Sequence, residues 1–248
     1  MKTVVLTPST HGLPAGWSAR QFRDTASRAA AAWSYPQVPC GLTVTVAEPS
    51  DAWRAAPDGT NLLVVRQGSW CHNDRCGPQS TFPWRATAMT TAYPAGATGT
   101  AVKEGDVEIN GAAFRFDEVA QVSSSRGAPE WHVPLEAVLV HEIGHVLGLR
   151  DACSGGLRAG GQPVISDCTP AERERVMFAG GRQSILSPAD VGELCEMYPP
   201  ADRQIRVGGG VAGVAPPPAV GIWLGVAIGL AALALAVRRV LTTRGRHG

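Results

Sequence analysis

The sequence carries little charge and almost no excess of either sign. Charged residues make up 17% of the 248 positions, and 22 Lys and Arg are offset by 21 Asp and Glu. This balance gives no basis for a nucleic-acid-binding surface, so no nucleic-acid partner is expected. A charged fraction this low is unusual for a purely cytosolic enzyme but ordinary for a protein with a membrane segment. The chain has no internal repeats, and its length fits one domain with additional segments.

The N-terminus lacks the long apolar core of a secretory signal peptide. The opening "MKTVVLTPSTHG" has one lysine and an apolar run of only three residues, Val4–Leu6, whereas a signal peptide needs about 7–15. The one long apolar run is "VGIWLGVAIGLAALALAV", residues 220–237. Its roughly 18 residues are just enough to cross the hydrocarbon core as a helix, and a buried core helix is the alternative.

The flanks of this run predict how the chain is arranged about a membrane. A Gly/Pro/Ala-rich segment, 207–219, precedes it as a linker, and a basic tail, 238–248, follows with four arginines. Positive residues favour the cytoplasmic side. We therefore expect a single-pass anchor with domain 1–206 outside the cytoplasm. Export then requires either a start upstream of this sequence or insertion directed by the anchor itself.

Cysteine usage fits the same compartment. The six cysteines are Cys40, Cys71, Cys76, Cys153, Cys168 and Cys195. An even number suggests disulfides formed in an oxidising compartment, with free thiols or a second metal site as the alternatives. Cys71 and Cys76 have four residues between them and no second pair matches that spacing, so a local disulfide is expected. Cys153 is expected to pair with Cys168 or Cys195.

Periodicity predicts the secondary structure of the domain. Apolar residues on one face predict a helix over 18–33 and a second helix beginning at Pro134. A short third helix is expected to begin at Pro188, with Ser187 as its cap. Alternating or β-branched runs predict strands at 41–48, 60–67, 86–93 and 106–117.

The second of these helices carries the clearest chemical signal, "VLVHEIGHVLGLRD". Residues four apart on a helix point the same way, so His141 and His145 can present two imidazole nitrogens to one Zn²⁺ ion. Glu142 can reach a water at the same ion and act as a general base. Two core histidines are the simpler alternative, but a glutamate among apolar residues is costly without a role.

The residues after the histidines extend this motif. Gly148 lies where a helix would end in a left-handed residue, which would turn the chain back under the metal. Asp151 follows three positions later and is the candidate third ligand. The alternatives are a solvated loop aspartate at 151 and a different zinc peptidase class that uses Asp167.

The resulting H-E-x-x-H-x-x-G-x-x-D pattern resembles the extended zinc motif of the metzincin metallopeptidases, and within them the matrixins. The likeness covers about residues 18–199. It includes "GDVEIN", similar to a matrixin strand at the cleft, and "RVMF", where Met177 fits the turn beneath the metal. It also includes "LSPADVGELCEMYP", similar to the closing matrixin helix.

The resemblance implies an α+β fold in which a twisted five-stranded sheet packs on two long helices. It implies one catalytic zinc held by His141, His145 and Asp151, supported by Met177, and endopeptidase activity on a polypeptide substrate with Glu142 as the base. The substrate would add as a strand at the sheet's edge. The edge segment is expected at Val107, Glu108, Ile109 and Asn110.

Two departures from the family pattern stand out. Asp151 occupies the third ligand position, where most members have histidine, although some bacterial members use aspartate. No propeptide with a cysteine switch is visible, since Cys40 in "VPCGLT" follows the first helix and is interpreted as a disulfide cysteine. The sequence also allows an additional structural Ca²⁺ or Zn²⁺ ion. The alternative function is that of a membrane-anchored binding module of the same fold whose catalytic site is degenerate.

Overall fold

A five-stranded mixed sheet and two helices form the frame of the protein, as seen in a computed structural model. The strands are β1 (Lys2–Pro8), β2 (Leu42–Val46), β3 (Asn61–Arg66), β4 (Ala88–Pro94) and β5 (Val102–Asn110). Their order is β2-β1-β3-β5-β4, with β4 antiparallel to β5 and the other pairs parallel. The helices α1 (Ala19–Ala32) and α2 (Leu135–Val146) contact each other; α1 packs on β1 and β2, and α2 on β4 and β5.

The structure describes residues 2–14, 16–34, 37–94, 102–117, 132–153, 157–158, 162–163, 168–179 and 183–200. They all belong to one compact unit. No helix within these ranges is long and apolar enough to span a membrane. The linker, membrane helix and basic tail expected over 207–248 lie outside the described residues.

Smaller elements complete this unit. Two short strand pairs join β6 (Arg115–Asp117) to β7 (His132–Pro134) and β8 (Leu157–Arg158) to β9 (Gln162–Pro163). A short helix α3 (Pro170–Arg173) precedes α4 (Pro188–Met197). The mixed α+β class with a five-stranded sheet, expected from the sequence, is confirmed.

Local sequence signals explain where the helices begin. The Ser18 hydroxyl accepts from the Gln21 amide and the Gln21 side chain returns the contact, forming a capping box at the start of α1. The same arrangement of Ser187 and Asp190 starts α4, with Pro188 at its first turn. The predicted cap Ser187 is confirmed, and the helix predicted over 18–33 spans Ala19–Ala32 with Ser18 as its N-cap. The second predicted helix begins one residue later than expected, because Pro134 is its N-cap.

The two faces of the sheet have different chemistry. Val107 and Ile109 belong to the apolar core under the helices. On the other face, Glu104, Asp106 and Glu108 are buried carboxylates. Each accepts hydrogen bonds from backbone N–H groups of the loops that cover this face, which satisfies groups that would otherwise be costly to bury.

The position of β5 corrects one expectation. Val107, Glu108, Ile109 and Asn110 do not form the sheet's edge, because β5 pairs with β3 on one side and β4 on the other. The edges of the described sheet are β2 and, next to β5, β4. The Glu108 side chain is instead neutralised by the buried guanidinium of Arg66, 2.6 Å away.

Three disulfides fix the loops to this frame. They join Cys40 to Cys195, Cys71 to Cys76 and Cys153 to Cys168, and leave no free cysteine. The expected local pair is confirmed, and Cys168 rather than Cys195 is the partner of Cys153. The Cys40–Cys195 bridge spans 155 residues of sequence and links the segment before β2 to α4, so it greatly restricts the unfolded chain.

Candidate metal centre

Helix α2 brings two imidazoles to one point. The rings of His141 and His145 lie edge to face with centroids 4.8 Å apart. His141 Nδ1 lies 2.8 Å from the carbonyl oxygen of Val176, and His145 Nδ1 lies 2.9 Å from that of Leu149. A carbonyl oxygen can only accept, so each Nδ1 carries the proton in its contact. This orients both rings and leaves both Nε2 atoms available as ligands.

The turn after α2 delivers the third group. Gly148 has φ +100°, the left-handed conformation that its position predicts. The Leu149 amide donates to the Gly144 carbonyl across the turn, which closes the helix end. Asp151 then lies with Oδ1 3.3 Å from His141 Nε2 and 3.4 Å from His145 Nε2. The Cys153–Cys168 disulfide anchors the chain two residues later.

Three ligand atoms therefore converge, and one of them lacks a partner. Asp151 Oδ1 is buried and has no assigned hydrogen-bond partner among the described residues, although both Nε2 atoms lie within 3.4 Å of it. The two Nε2 atoms and this carboxylate oxygen all lie within 4.8 Å of one another, so the group can hold a metal ion. Within the described part of the chain, no other group of this kind is found. Two imidazoles and a carboxylate form a donor set that suits Zn²⁺.

The electrostatics of the site favour a cation. Burial alone would lower the pKa of His145, but the carboxylates of Asp151 and Glu142 outweigh it and raise the pKa to about 9. The pKa of His141 is raised by the same groups against the effect of burial. Burial would raise the pKa of Asp151, yet the two imidazoles hold it well below its usual range. The carboxylates of Asp151 and Glu142 thus make the site negative, and a positive charge at the two Nε2 atoms balances them.

Glu142 lies on the same helix and is held by the edge strand. Its side chain is buried, at 5% exposure. The Thr90 hydroxyl on β4 donates to Glu142 Oε2 at 2.6 Å. Glu142 is thus a buried carboxylate with a charge-assisted hydrogen bond, and it lies next to the candidate metal ligands in sequence. It is the residue that the sequence analysis predicts as the general base.

Met177 packs against helix α2 at Gly144, between the two histidines in sequence. The side chain is fully buried, and its sulfur touches α2 at Gly144, where a Cβ would overlap it. The Met177 carbonyl accepts from the Ala152 amide at 2.6 Å, next to Asp151. The thioether therefore packs against the turn of α2 between the two histidines, and its support of a metal site stays a prediction.

The turn that carries Met177 is fixed by a buried carboxylate on α4. Asp190 is fully buried and accepts from the Val176 amide at 3.0 Å, from Arg175 Nε at 2.9 Å and from the Ser187 hydroxyl at 2.7 Å. Asp190 therefore holds the residue whose carbonyl oxygen orients the His141 ring.

The structure thus brings His141, Glu142, His145, Asp151 and Met177 together, and places Val107–Asn110 elsewhere. Sequence reasoning missed Thr90, Gly144 and the role of Asp190. Gly144 stands between the two histidines and was the one missed residue with a local signal. Asp167 lies outside the described residues. No model of a known protein family matches this chain, and no curated protein matches it either.

Proposed function

We propose that the protein is a zinc-dependent endopeptidase. The observation that carries this proposal is the convergence of His141 Nε2, His145 Nε2 and the orphaned Asp151 Oδ1 beside the buried carboxylate of Glu142. A structural zinc site would have four protein ligands and no adjacent base, whereas a catalytic site has three and keeps one position open.

Each residue has a distinct task in this proposal. A bound zinc ion would acidify a water molecule and polarise the peptide carbonyl. The Glu142 carboxylate would act as the general base that takes up a proton and delivers it to the leaving amine, a role that typically contributes about 10²–10⁴-fold. Val176 and Leu149 carbonyls keep the His141 and His145 rings in the tautomer that presents Nε2. The negative charge of Asp151 would offset part of the charge of a bound metal, so this ligand set would acidify a water less than three neutral imidazoles would.

The edge strand supports an extended polypeptide as the substrate. In the described sheet, β4 pairs with β5 on one side only, and unpaired N–H and C=O groups at an edge accept an added strand. Thr90 of this strand touches Glu142, so a peptide added at β4 would lie beside the candidate base. This favours backbone recognition of unfolded or extended chains over a folded target.

The location proposed for this activity rests on the sequence of the C-terminal segment and on the disulfides. The apolar run 220–237 and the arginines after it favour a single membrane pass with domain 1–206 outside the cytoplasm. The three disulfides fit an oxidising compartment. Protease added to intact cells should remove the domain and leave a tag after Gly248 protected. Protection of the domain would contradict this orientation.

Hydrolysis of an unstructured protein tests the proposed activity. The purified protein loaded with zinc should cleave such a substrate, a chelator should abolish cleavage, and added zinc should restore it. Glu142→Gln is the matched control, because the change is nearly isosteric and leaves all three ligands in place. Cleavage that survives both the chelator and this substitution would come from another activity and contradict the proposal.

A further inference from the structure

The hydroxyl of Thr90 is committed to Glu142. It lies 2.6 Å from Glu142 Oε2 and 3.4 Å from the Glu142 carbonyl oxygen, so the short contact goes to the carboxylate. No other described side chain or amide donates to the Glu142 carboxylate. A β-branched side chain has little freedom about χ1, and the neighbouring Ala88 on the same face of β4 is buried in the core. The hydroxyl is therefore a rigid donor.

The main chain of the same residue faces the open edge. The Asn110 amide donates to the Thr87 carbonyl, so Thr87 and Asn110 form a hydrogen-bonded antiparallel pair. Such pairs alternate with non-hydrogen-bonded ones along the ladder. Since Thr90 pairs with Val107, three positions further along, it belongs to the non-hydrogen-bonded set. Its N–H and C=O groups consequently point away from β5, toward the side where a strand would add.

We propose that Thr90 is a positioning residue that couples the pairing of a peptide at the β4 edge to the orientation of Glu142. This inference rests on the proposed peptidase function. A peptide that hydrogen-bonds to the main chain of Thr90 fixes the residue whose hydroxyl holds the base. Peptide pairing and base alignment then share one rigid element, which helps hold the carboxylate in the geometry that proton transfer needs.

Three substitutions test this role by kinetics. Thr90→Val removes the hydroxyl and retains the β-branched shape, Thr90→Ser keeps the hydroxyl, and Thr91→Val makes the same change at the next residue, whose side chain lies on the opposite face. We expect Thr90→Val to lower kcat about ten- to hundredfold, a part of the effect of a general base, with KM within about threefold. Thr90→Ser should recover most of the loss, and Thr91→Val should leave kcat and KM near the parent values.

These measurements separate the positioning role from the proposed function. If the parent is active, two results contradict the positioning role alone. One is that kcat falls no more in Thr90→Val than in Thr91→Val, and the other is that kcat of Thr90→Ser is as low as that of Thr90→Val. A zinc-loaded parent that cleaves no unstructured protein contradicts the proposed function, and the positioning role is overturned with it.

A second measurement needs no turnover. Thr90→Val and Glu142→Ala form a double-mutant cycle in urea unfolding. Hydrogen bonds to charged groups are strong enough that Thr90→Val should shift the unfolding equilibrium of the parent about tenfold or more. In the Glu142→Ala background the shift should be less than about twofold. Equal shifts in the two backgrounds would show that the hydroxyl does not act on this carboxylate.

Discussion

Replacing Gly144 by alanine should destabilise the protein, although the same change usually stabilises a helix. Alanine is favoured over glycine in a helix interior by about 0.5–1 kcal/mol. Here, however, a Cβ at position 144 would overlap Met177 Sδ and would lie 3.0 Å from its Cε and 3.1 Å from Trp33 Cζ2. Met177 and Trp33 are both fully buried, so neither can move into solvent to make room.

The sizes of the two effects decide the sign. Carbon contacts are most favourable at about 3.5–4.0 Å, so Met177 must shift and Trp33 must adjust with it. Overpacking of this kind costs about 1–3 kcal/mol. We expect the upper part of that range because two immobile side chains are involved. After the helix preference is subtracted, Gly144→Ala should lower the free energy of unfolding by about 1–2 kcal/mol.

Gly192 provides the matched control. It lies inside α4, and a Cβ there would meet nothing within 4 Å. Gly192→Ala should therefore stabilise the protein by up to about 1 kcal/mol. Urea unfolding of both variants, with the disulfides intact, measures the difference. A Gly144→Ala protein that is at least as stable as the parent would refute the packing argument. The loss of unfolding free energy caused by Met177→Ala should also be smaller in the Gly144→Ala background than in the parent, and an equal or larger loss would refute the argument as well.

Further outcomes follow from the site and from the buried face of the sheet. Glu142→Gln should retain zinc while kcat falls about 10²–10⁴-fold; full activity by the same substrate assay would assign the base to another group. Asp151→Ala should lose zinc affinity sharply in a competition titration, whereas Asp151→His should retain zinc, and an unchanged affinity of Asp151→Ala would make the aspartate a bystander. Met177→Leu should keep zinc and cost about 1.5 kcal/mol of stability or less; loss of zinc with the fold intact would contradict its packing role. Burial raises the pKa of Asp106 from 3.8 to about 6, so the native state binds more protons than the unfolded state between about pH 4 and 6, and stability from this group falls as pH rises through that window. Asp106→Asn should flatten this fall in urea unfolding measured across the window, and an unchanged pH profile would contradict it.

Local patterns were sufficient for the part of the site that a single segment builds. His141, Glu142 and His145 follow from helical spacing, and Asp151 follows from the left-handed Gly148. Both depend on residues within eleven positions of one another. Ser187, the cap of α4, was also predicted from a local signal.

Two of the missed features, the Thr90 contact and the order of the strands, depend on contacts between distant segments. Thr90 and Glu142 are separated by 52 positions, and their contact exists only because α2 packs on β4. Alternating residues predicted β4 and β5 as strands, but their order in the sheet depends on pairing that alternation does not encode, so the edge was assigned to Val107–Asn110. β1 was missed because its buried residues, Val4 and Leu6, form too short an apolar signal, although the strand is interior to the sheet.

The central claim is that His141, His145 and Asp151 hold one zinc ion. Elemental analysis of the protein, purified without chelators, tests it most directly. We predict about one zinc per chain in the parent and in Glu142→Gln, and far less in Asp151→Ala. A parent that contains no zinc after mild purification, and takes up none when zinc is added, would contradict the account.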